Sequence, residues 1–515
     1  MTIERSGRRT VPFPQPCAGH VGGVQWYDAS TYWVARLVVQ RGVAALYLIG
    51  FLNGVAQFRA LLGSGGLLPV PRFLAAVPFR RSPSLFHLKY SDPIALAVCW
   101  SGVIVSALLI AGVPQLGPPW VPLLAYLFVW ALYLSIVNVG QIFYAFGWES
   151  LLLEAGVLVA FLGSDDVAPP VTVIWLLRWL VFRIEFGAGL IKLRGDPCWR
   201  DLTCLYYHHE TQPMPGPLSW FFHHLPRPLH KVEVAANHVA QLVVPFTLFC
   251  PQPVASIGAA VIVITQLWLV FSGNFSWLNW STIVLSFAAI DDDSLGRVFG
   301  HYRHGPVAAT PLWFVGLVLA FTVLILVLSY WPARNLLSRR QLMNAGFNPL
   351  HLVNAYGAFG SITRNRDEIV IEGTRSPVIG GHTVWLEYEF KGKPGDVRRL
   401  PRQFAPYHLR LDWLMWFAAM SSARAHPWFM SLVAHLLAGD ERTTKLLRHN
   451  PFPDEPPTML RARRYRYRFT TWAERRSTGA WWHRTLVSEY LLPASLMAQT
   501  RSAQPGNDED ARLIA

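Results

Sequence analysis

The stretch from Val234 to Ile290, VAANHVAQLVVPFTLFCPQPVASIGAAVIVITQLWLVFSGNFSWLNWSTIVLSFAAI, contains no Lys, Arg, Asp or Glu. A hydrocarbon core about 30 Å thick is crossed by roughly 20 apolar residues in a helix. The run is therefore long enough for two spans or three, split near Pro251–Pro253 and again at Ser272–Asn274. Working outward, Leu312–Trp331 is the clearest single span, and Pro93–Val113 and Trp120–Val137 are equally free of charge. Val34–Phe58 is interrupted by Arg36, Arg41 and Asn53. Leu151–Leu162 is short, with Glu149 before it and Glu154 inside it, and Val171–Leu193 carries Arg178, Arg183, Glu185 and Lys192. The sum is about eight or nine spans.

The composition agrees. Of 515 residues, 52% are hydrophobic, 13% aromatic and 15% charged, where soluble domains hold about a quarter charged residues. The 22 Trp suit a protein with two membrane–water interfaces. Disorder, coiled coil, collagen and a single soluble domain are excluded. The net charge of +14 reads first as a membrane-surface and topology signal, not as a nucleic-acid footprint. Five cysteines are too few for a disulfide scaffold. No apolar h-region precedes Val34, so the first span itself is expected to direct insertion. Arg5, Arg8 and Arg9 before that span oppose Arg59, Arg72, Arg80, Arg81 and Lys89 after it. Charge alone leaves the orientation open.

Beyond Pro332 the chain turns polar and basic. Glu368–Glu372 and Thr383–Phe390 alternate as half-buried strands do, around a turn at Gly380–Gly381. Leu409–Ser421 and Pro427–Ala438 read as helices, and Arg464–Phe469 as a strand with one basic face. The expected architecture is a polytopic α-helical membrane protein with a C-terminal soluble α+β, β-rich domain. Its parts are an N-terminal tail over 1–30, a transmembrane helical domain over 31–332 including the 194–233 loop, the soluble domain over 333–500, and a disordered tail over 501–515.

Charges within membrane segments are costly unless paired or wetted, so each is a functional candidate. Arg178, Glu185 and Lys192 are seven apart and fall on one helical stripe, with Arg183 off it. Two readings stand: a salt-bridge ladder that holds helices together, or a site. Glu149 reads as a helix N-terminal carboxylate; Glu154 sits deeper. Asn138 and Gln141 form a polar island that either lines a cavity or joins helices.

The segment from Cys198 to Pro213 is dense in Cys, Asp, His and Glu. Its Cys-x5-Cys-x3-His spacing does not match a standard zinc pattern, so no metal and no cofactor are assigned. Cys198 and Cys204 form a disulfide if the loop faces an oxidising compartment, and otherwise are reduced structural or reactive thiols. Cys99 and Cys250 read as buried hydrophobes, and Pro217–His224 as an interfacial helix. There is no Walker loop, Gly-x-Gly-x-x-Gly, His-Glu-x-x-His or Gly-x-Ser-x-Gly.

These stretches closely resemble the lipase maturation factor family, in the form found in bacterial relatives. The membrane-half blocks are Tyr32-Trp33-Val-Ala-Arg36, Gln40-Arg41-Gly42, Asn138-Val-Gly-Gln141, Phe146-Gly-Trp148-Glu149, Arg183-Ile-Glu185-Phe-Gly187-Ala-Gly189-Leu-Ile-Lys192 and Asn274-Phe-Ser-Trp277-Leu-Asn279. Tyr388-Glu-Phe-Lys391, Ala405-Pro406, Arg410-Leu-Asp412-Trp413 and Met415-Trp416-Phe417 extend it beyond Pro332. The resemblance implies a multispanning protein, resident in the endoplasmic reticulum in animals, that dimeric lipases require to fold, assemble and leave. It implies a lumenal C-terminal domain that contacts client protein, and it supplies no catalytic residue. Tyr388, Asp412, Trp413, Trp416 and Phe417 are the expected structural or client-binding positions.

The expected function is a membrane-anchored maturation factor for secreted proteins such as lipases. Its expected partners are those clients and membrane lipids, without nucleic acid. It would sit in the cell membrane if bacterial and in the endoplasmic reticulum membrane if eukaryotic. The alternative is a membrane-embedded enzyme acting on a lipid or quinone-like substrate through Glu154, Arg178, Arg183, Glu185 or Lys192. Its organisation is then like that of membrane carboxylases. A third reading gives thiol–disulfide chemistry to Cys198 and Cys204.

Overall fold

A computed structural model describes residues 26–300 and 307–495. Residues 1–25 with Cys17, and the 501–515 tail, lie outside the described residues. The first helix, α1 (Trp33–Leu62), starts where the Asp292 carboxylate accepts from the Trp33 and Val34 amides at 3.0 Å each. Those are two of the N–H groups a helix start leaves unsatisfied. It is followed by α2 (Asp92–Ala111), which Ser91 caps, and α3 (Trp120–Val139). Then come α4 (Gly147–Ala160) and α5 (Val171–Arg194). A short helix, α6 (Leu205–Thr211), leads to α7 (Arg227–Leu242), α8 (Val254–Ser272) and α9 (Leu278–Ser286). The breaks after α7 and α8 fall at the prolines 251 and 253 and at Gly273–Trp277, where an apolar run must turn.

Among the described residues, five helices are long and apolar enough to cross a membrane. They are α1, α2, α3, α8 and α10 (Leu312–Leu328), the last continuing past Ser329 to Leu337. The remaining helices of the expected eight or nine spans do not meet that measure. The reason for α4 and α5 is physical: α4 is short and buried over all 14 of its residues, and α5 buries Arg178, Arg183, Glu185 and Lys192. Protein, not lipid, surrounds them, so neither length nor apolarity is demanded of them.

The C-terminal part is built on a four-stranded antiparallel sheet, ordered β2-β1-β3-β4. Its strands are β1 (Arg366–Thr374), β2 (Leu386–Glu387), β3 (Met459–Phe469) and β4 (Trp482–Ala494). Helices α11 (Arg410–Ala418) and α12 (Pro427–Leu437) pack on it. Expected strand Thr383–Phe390 pairs with β1 at Leu386–Glu387, opposite Gly373 and Glu372, and adds one isolated bridge from Glu389 to His449. Strand β4 went unforeseen because it is an edge strand with long exposed runs. An edge needs no buried face, so it shows no clean alternation, and it tolerates Pro493.

The basic face of β3 is not free. Within Arg464–Phe469, Arg464 donates to the Ser421 carbonyl at 2.6 Å, Arg466 pairs with Asp367 (2.9 Å) and Arg468 with Glu474 (2.5 Å); earlier on β3, Arg461 pairs with Glu372 (2.5 Å) and Arg463 with Glu489 (3.0 Å). Most of these partners lie on neighbouring strands, so the stripe is answered across the sheet. The segment over Pro217–His224 keeps Leu218 and Phe221 exposed. It is helical only over Ser219–His223, and Trp220 is buried against the sheet, donating to the Thr470 carbonyl at 2.9 Å.

Buried polar contacts join the two parts. Arg410 of α11 reaches into the bundle, where Nη1 meets Glu149 at 2.6 Å and the Phe143 carbonyl at 2.8 Å, and Nε meets Asn53 at 2.8 Å. Tyr133 donates to the other Glu149 oxygen at 2.5 Å. Asn274 receives the Phe404 and Ala405 amides at 2.6 and 2.9 Å. Arg366 donates to the Glu210 and Gln212 carbonyls at 2.9 and 2.5 Å. Glu149 is thus an ion-pair partner across the two parts, beyond its place in the first turn of α4. Asn138 and Gln141 bond backbone carbonyls of Pro83, Pro349 and Leu68, which makes the polar island a joint between segments.

Candidate functional site: a cavity beside the charged helix

Helix α5 distributes its charges to different neighbours. The ladder expected of Arg178, Glu185 and Lys192 does not form, because seven residues rise about 10.5 Å along a helix, well beyond ion-pair reach. Arg178 donates to the Ala288 and Leu248 carbonyls at 3.0 and 3.1 Å and to the Tyr32 hydroxyl at 2.7 Å. Arg183, off that stripe, forms a buried ion pair with Glu154 and donates to the Asn354 carbonyl at 2.7 Å. Glu154 also accepts from the Asn354 amide (2.9 Å), its side chain (3.0 Å) and the Tyr356 hydroxyl (2.7 Å). Gly187 allows the 356–358 segment to run against α5. A Cβ there would stand 2.5 Å from the Tyr356 carbonyl oxygen.

Glu185 and Lys192 face a different environment. They line a cavity of about 480 Å³ enclosed by α5, α7, α8, α9 and the segment 356–359, with a wall that is mostly apolar. Gln266 donates to Glu185 at 2.5 Å, and Asn279 donates to Gln266 at 2.6 Å. Lys192 donates to Gln241 at 2.8 Å and lies 4.9 Å from the Trp199 ring centre. Both charges are held by neutral amides rather than by an opposite charge. Of the five charged candidates, only Glu185 and Lys192 reach the cavity; Glu154, Arg178 and Arg183 are bonded elsewhere. A mostly apolar pocket with a few converging polar groups is the form that ligand sites take.

The floor on the polar side is the Cys198–Pro213 segment. Cys198 and Cys204 are joined as a disulfide, with Cα atoms 4.8 Å apart. Trp199, between them, and His208 belong to the cavity wall. Burial holds the His208 imidazole down at about 3, so it is neutral. Cys99 is buried, as expected, but Cys250 is exposed.

The remaining candidates are mostly internal. Tyr388, Asp412 and Trp413 are buried, and Trp416 is half-buried with its indole donating to the Thr211 carbonyl at 2.9 Å. Phe417 is 39% exposed and is the one of the five that presents a surface. Burial raises the Asp412 carboxyl to about 6, opposed by the bond from the Gly392 amide and by Lys393 and Lys391. Sequence reading did not single out Gln241, Gln266 or Arg410 as site groups. The available signal for the first two was a neutral amide inside an uncharged apolar run.

Fold and site together define a multispanning helical membrane protein. Its β-containing C-terminal part is locked to the bundle by buried charge, and two further buried charges, Glu185 and Lys192, line one mostly apolar cavity. The chain belongs to the lipase maturation factor family. Residues 34–297 match the lipase maturation factor transmembrane domain, and residues 352–493 match the lipase maturation factor C-terminal domain. It is 42% identical to lipase maturation factor 1 of Bos taurus, over 91% of this chain and 90% of that protein. Against lipase maturation factor 1 of Homo sapiens identity is 40%, over 94% and 92%. Against lipase maturation factor 2 of Homo sapiens it is 30%, over 90% and 82%. No solved structure matches the chain.

Proposed function

We propose that this chain is a membrane-embedded maturation factor that assists secreted lipases, or related secreted hydrolases, to fold and assemble. The observation that carries the reading is similarity to proteins named lipase maturation factors across both parts of the chain at once. The client side is the C-terminal sheet and its neighbour α11. Phe417 and Met420 are exposed there, as are Leu486, Val487 and Leu492 on β4. An edge strand offers unpaired backbone groups to an extended client segment. Tyr388, Asp412, Trp413 and Trp416 support that surface from beneath. The membrane is the cell membrane if the chain is bacterial and the endoplasmic reticulum membrane if eukaryotic. Counting α4, α5, α7 and α9 as membrane-embedded brings the total to the eight or nine segments read from the sequence.

The test is a deletion strain in which secreted lipase is measured for both amount and specific activity. Loss of specific activity, restored by the intact chain and poorly by a Phe417→Ala/Leu486→Glu variant that accumulates normally, is the expected result. Unchanged lipase activity in the deletion strain ends this reading.

The cavity favours one second reading: an enzyme or carrier for a lipid or quinone-like molecule, with Glu185 and Lys192 as its polar end. Lipid co-purifying with the intact chain and lost on Glu185→Gln or Lys192→Met supports it. Full complementation by both variants removes it.

A further inference from the structure

The geometry points to a site for a divalent transition metal of the zinc type, held by His209, His230 and Glu233 against the cavity wall. His209 comes from α6; His230 and Glu233 stand one turn apart on α7. His209 Nε2 lies 4.0 Å and His230 Nδ1 lies 3.8 Å from the same Glu233 oxygen, Oε2. The three donor atoms fall within 4.8 Å of one another. Donors around a tetrahedral zinc ion are about 3.4 Å apart, so closing on an ion asks for shifts of about half an ångström to an ångström.

The second observation is that these groups are buried and unanswered. His209 is 1% exposed and His230 2%. Both ring nitrogens of His209, Nδ1 of His230 and Oε2 of Glu233 have no hydrogen-bond partner. Such atoms cost about 1–3 kcal/mol each when buried without a partner. In the same bundle Glu154, by contrast, is surrounded by donors. His230 Nε2 lies 3.4 Å from the His223 carbonyl. A proton on that nitrogen leaves a bare lone pair on Nδ1, facing a carboxylate oxygen that is also a bare acceptor. In that tautomer two acceptors face each other at 3.8 Å, an arrangement that a bound cation relieves.

The surroundings are those of a metal centre rather than of a chance cluster. Trp268 donates to the other Glu233 oxygen at 2.6 Å, orienting the carboxylate as outer groups do around metal ligands. The His209 ring stacks on Phe222 with centroids 5.6 Å apart. Three protein donors leave one tetrahedral position open, and Glu233 is part of the cavity wall. The metal-capable cluster of Asp196, Cys198 and Cys204 differs, because its sulfurs are consumed in a disulfide. Sequence spacing assigned no metal, because it was judged on the cysteines, while these donors come from two helices separated by a loop. The inference does not rest on the maturation reading.

The experiment uses the intact chain purified in detergent, stripped with a chelator and dialysed against zinc, with bound metal measured by mass spectrometry. Cobalt is titrated separately and followed by its visible absorption. The intact chain is expected to take up one zinc per molecule, to give a tetrahedral cobalt spectrum, and to melt at a higher temperature with zinc. Glu233→Gln, close in shape, is expected to weaken zinc at least about tenfold and to lose the thermal gain. Cys198→Ser/Cys204→Ser is expected to keep both. An intact chain that binds neither zinc nor cobalt overturns the proposal, as does metal binding lost with the cysteines but kept in His209→Ala/Glu233→Gln.

Discussion

Two groups of buried charge occupy the same bundle under opposite terms. Glu149 and Glu154 each face an arginine and further donors, Arg410 with Tyr133 for one, Arg183 with Asn354 and Tyr356 for the other. Through Arg410 for Glu149, and through Asn354 and Tyr356 for Glu154, both carboxylates fasten parts of the chain far apart in sequence. Glu185 and Lys192, a few residues along α5, are hydrogen-bonded by neutral amides at an apolar cavity and form no close ion pair with each other, and Glu233 beside them keeps an oxygen without a partner. Burial is therefore not what separates structure from site in this protein. The difference is whether a buried charge is answered by opposite charge. An answered charge holds the fold, and an unanswered one at a cavity wall is available to a ligand.

The largest expected effect tests the answered set. Arg410→Met leaves Glu149 buried without its cation, and removing one partner of such a pair costs about 3–5 kcal/mol. The variant should melt far below the intact chain in detergent, and Arg410→Met/Glu149→Leu should recover most of the loss. A double variant no better than the single one would break the comparison.

Asp412 comes next. Its carboxyl is raised from 3.8 to about 6 in the folded chain. Between those values the native state holds the proton more firmly than the unfolded state, so stability falls as pH rises through that window and levels off above it. Asp412→Asn keeps an acceptor for the Gly392 amide and removes the penalty. It should gain up to about 3 kcal/mol at pH 7 and flatten the dependence between pH 4 and 6. Parallel pH–stability curves for the two proteins would refute this.

Gly187→Ala places a Cβ 2.5 Å from the Tyr356 carbonyl oxygen. Forcing that segment off α5 should cost about 1–3 kcal/mol, read as a lower melting temperature and faster amide exchange over 354–359. The smallest stability effect belongs to the cavity. Glu185→Gln should change stability by less than about 1 kcal/mol, because the amide still accepts from Gln266 and a costly buried charge is gone. A loss as large as that of Arg410→Met would erase the distinction between the two groups.

Much of the fold was legible because hydrophobic runs are local. Pro93–Val113, Trp120–Val137 and Leu312–Trp331 needed only their own residues to be placed, and helices α2, α3 and α10 lie there within a few positions. The charged helix was harder. Its seven-residue spacing puts Arg178, Glu185 and Lys192 on one stripe, but a shared stripe does not bring side chains about 10.5 Å apart into contact. Tertiary partners from α4, α7, α8 and the 354–356 segment decided which charge met which. In the C-terminal part, alternation marked β1, which is buried along almost its whole length, and β3, which is partly buried, and failed for β4, whose exposed edge imposes no pattern. The basic run on β3 looked like a free surface because its acidic partners are distant in sequence.

The uncharged run from Val234 to Ile290 determined by itself that this protein lives in a membrane, since only burial in lipid or protein makes so long a stretch without charge stable. The family blocks determined its kinship. Which ionisable groups are bolts and which are a site was settled only by the tertiary structure. A side chain's role depends on the atoms within a few ångströms of it, and the fold draws those atoms from segments that the sequence keeps hundreds of residues apart.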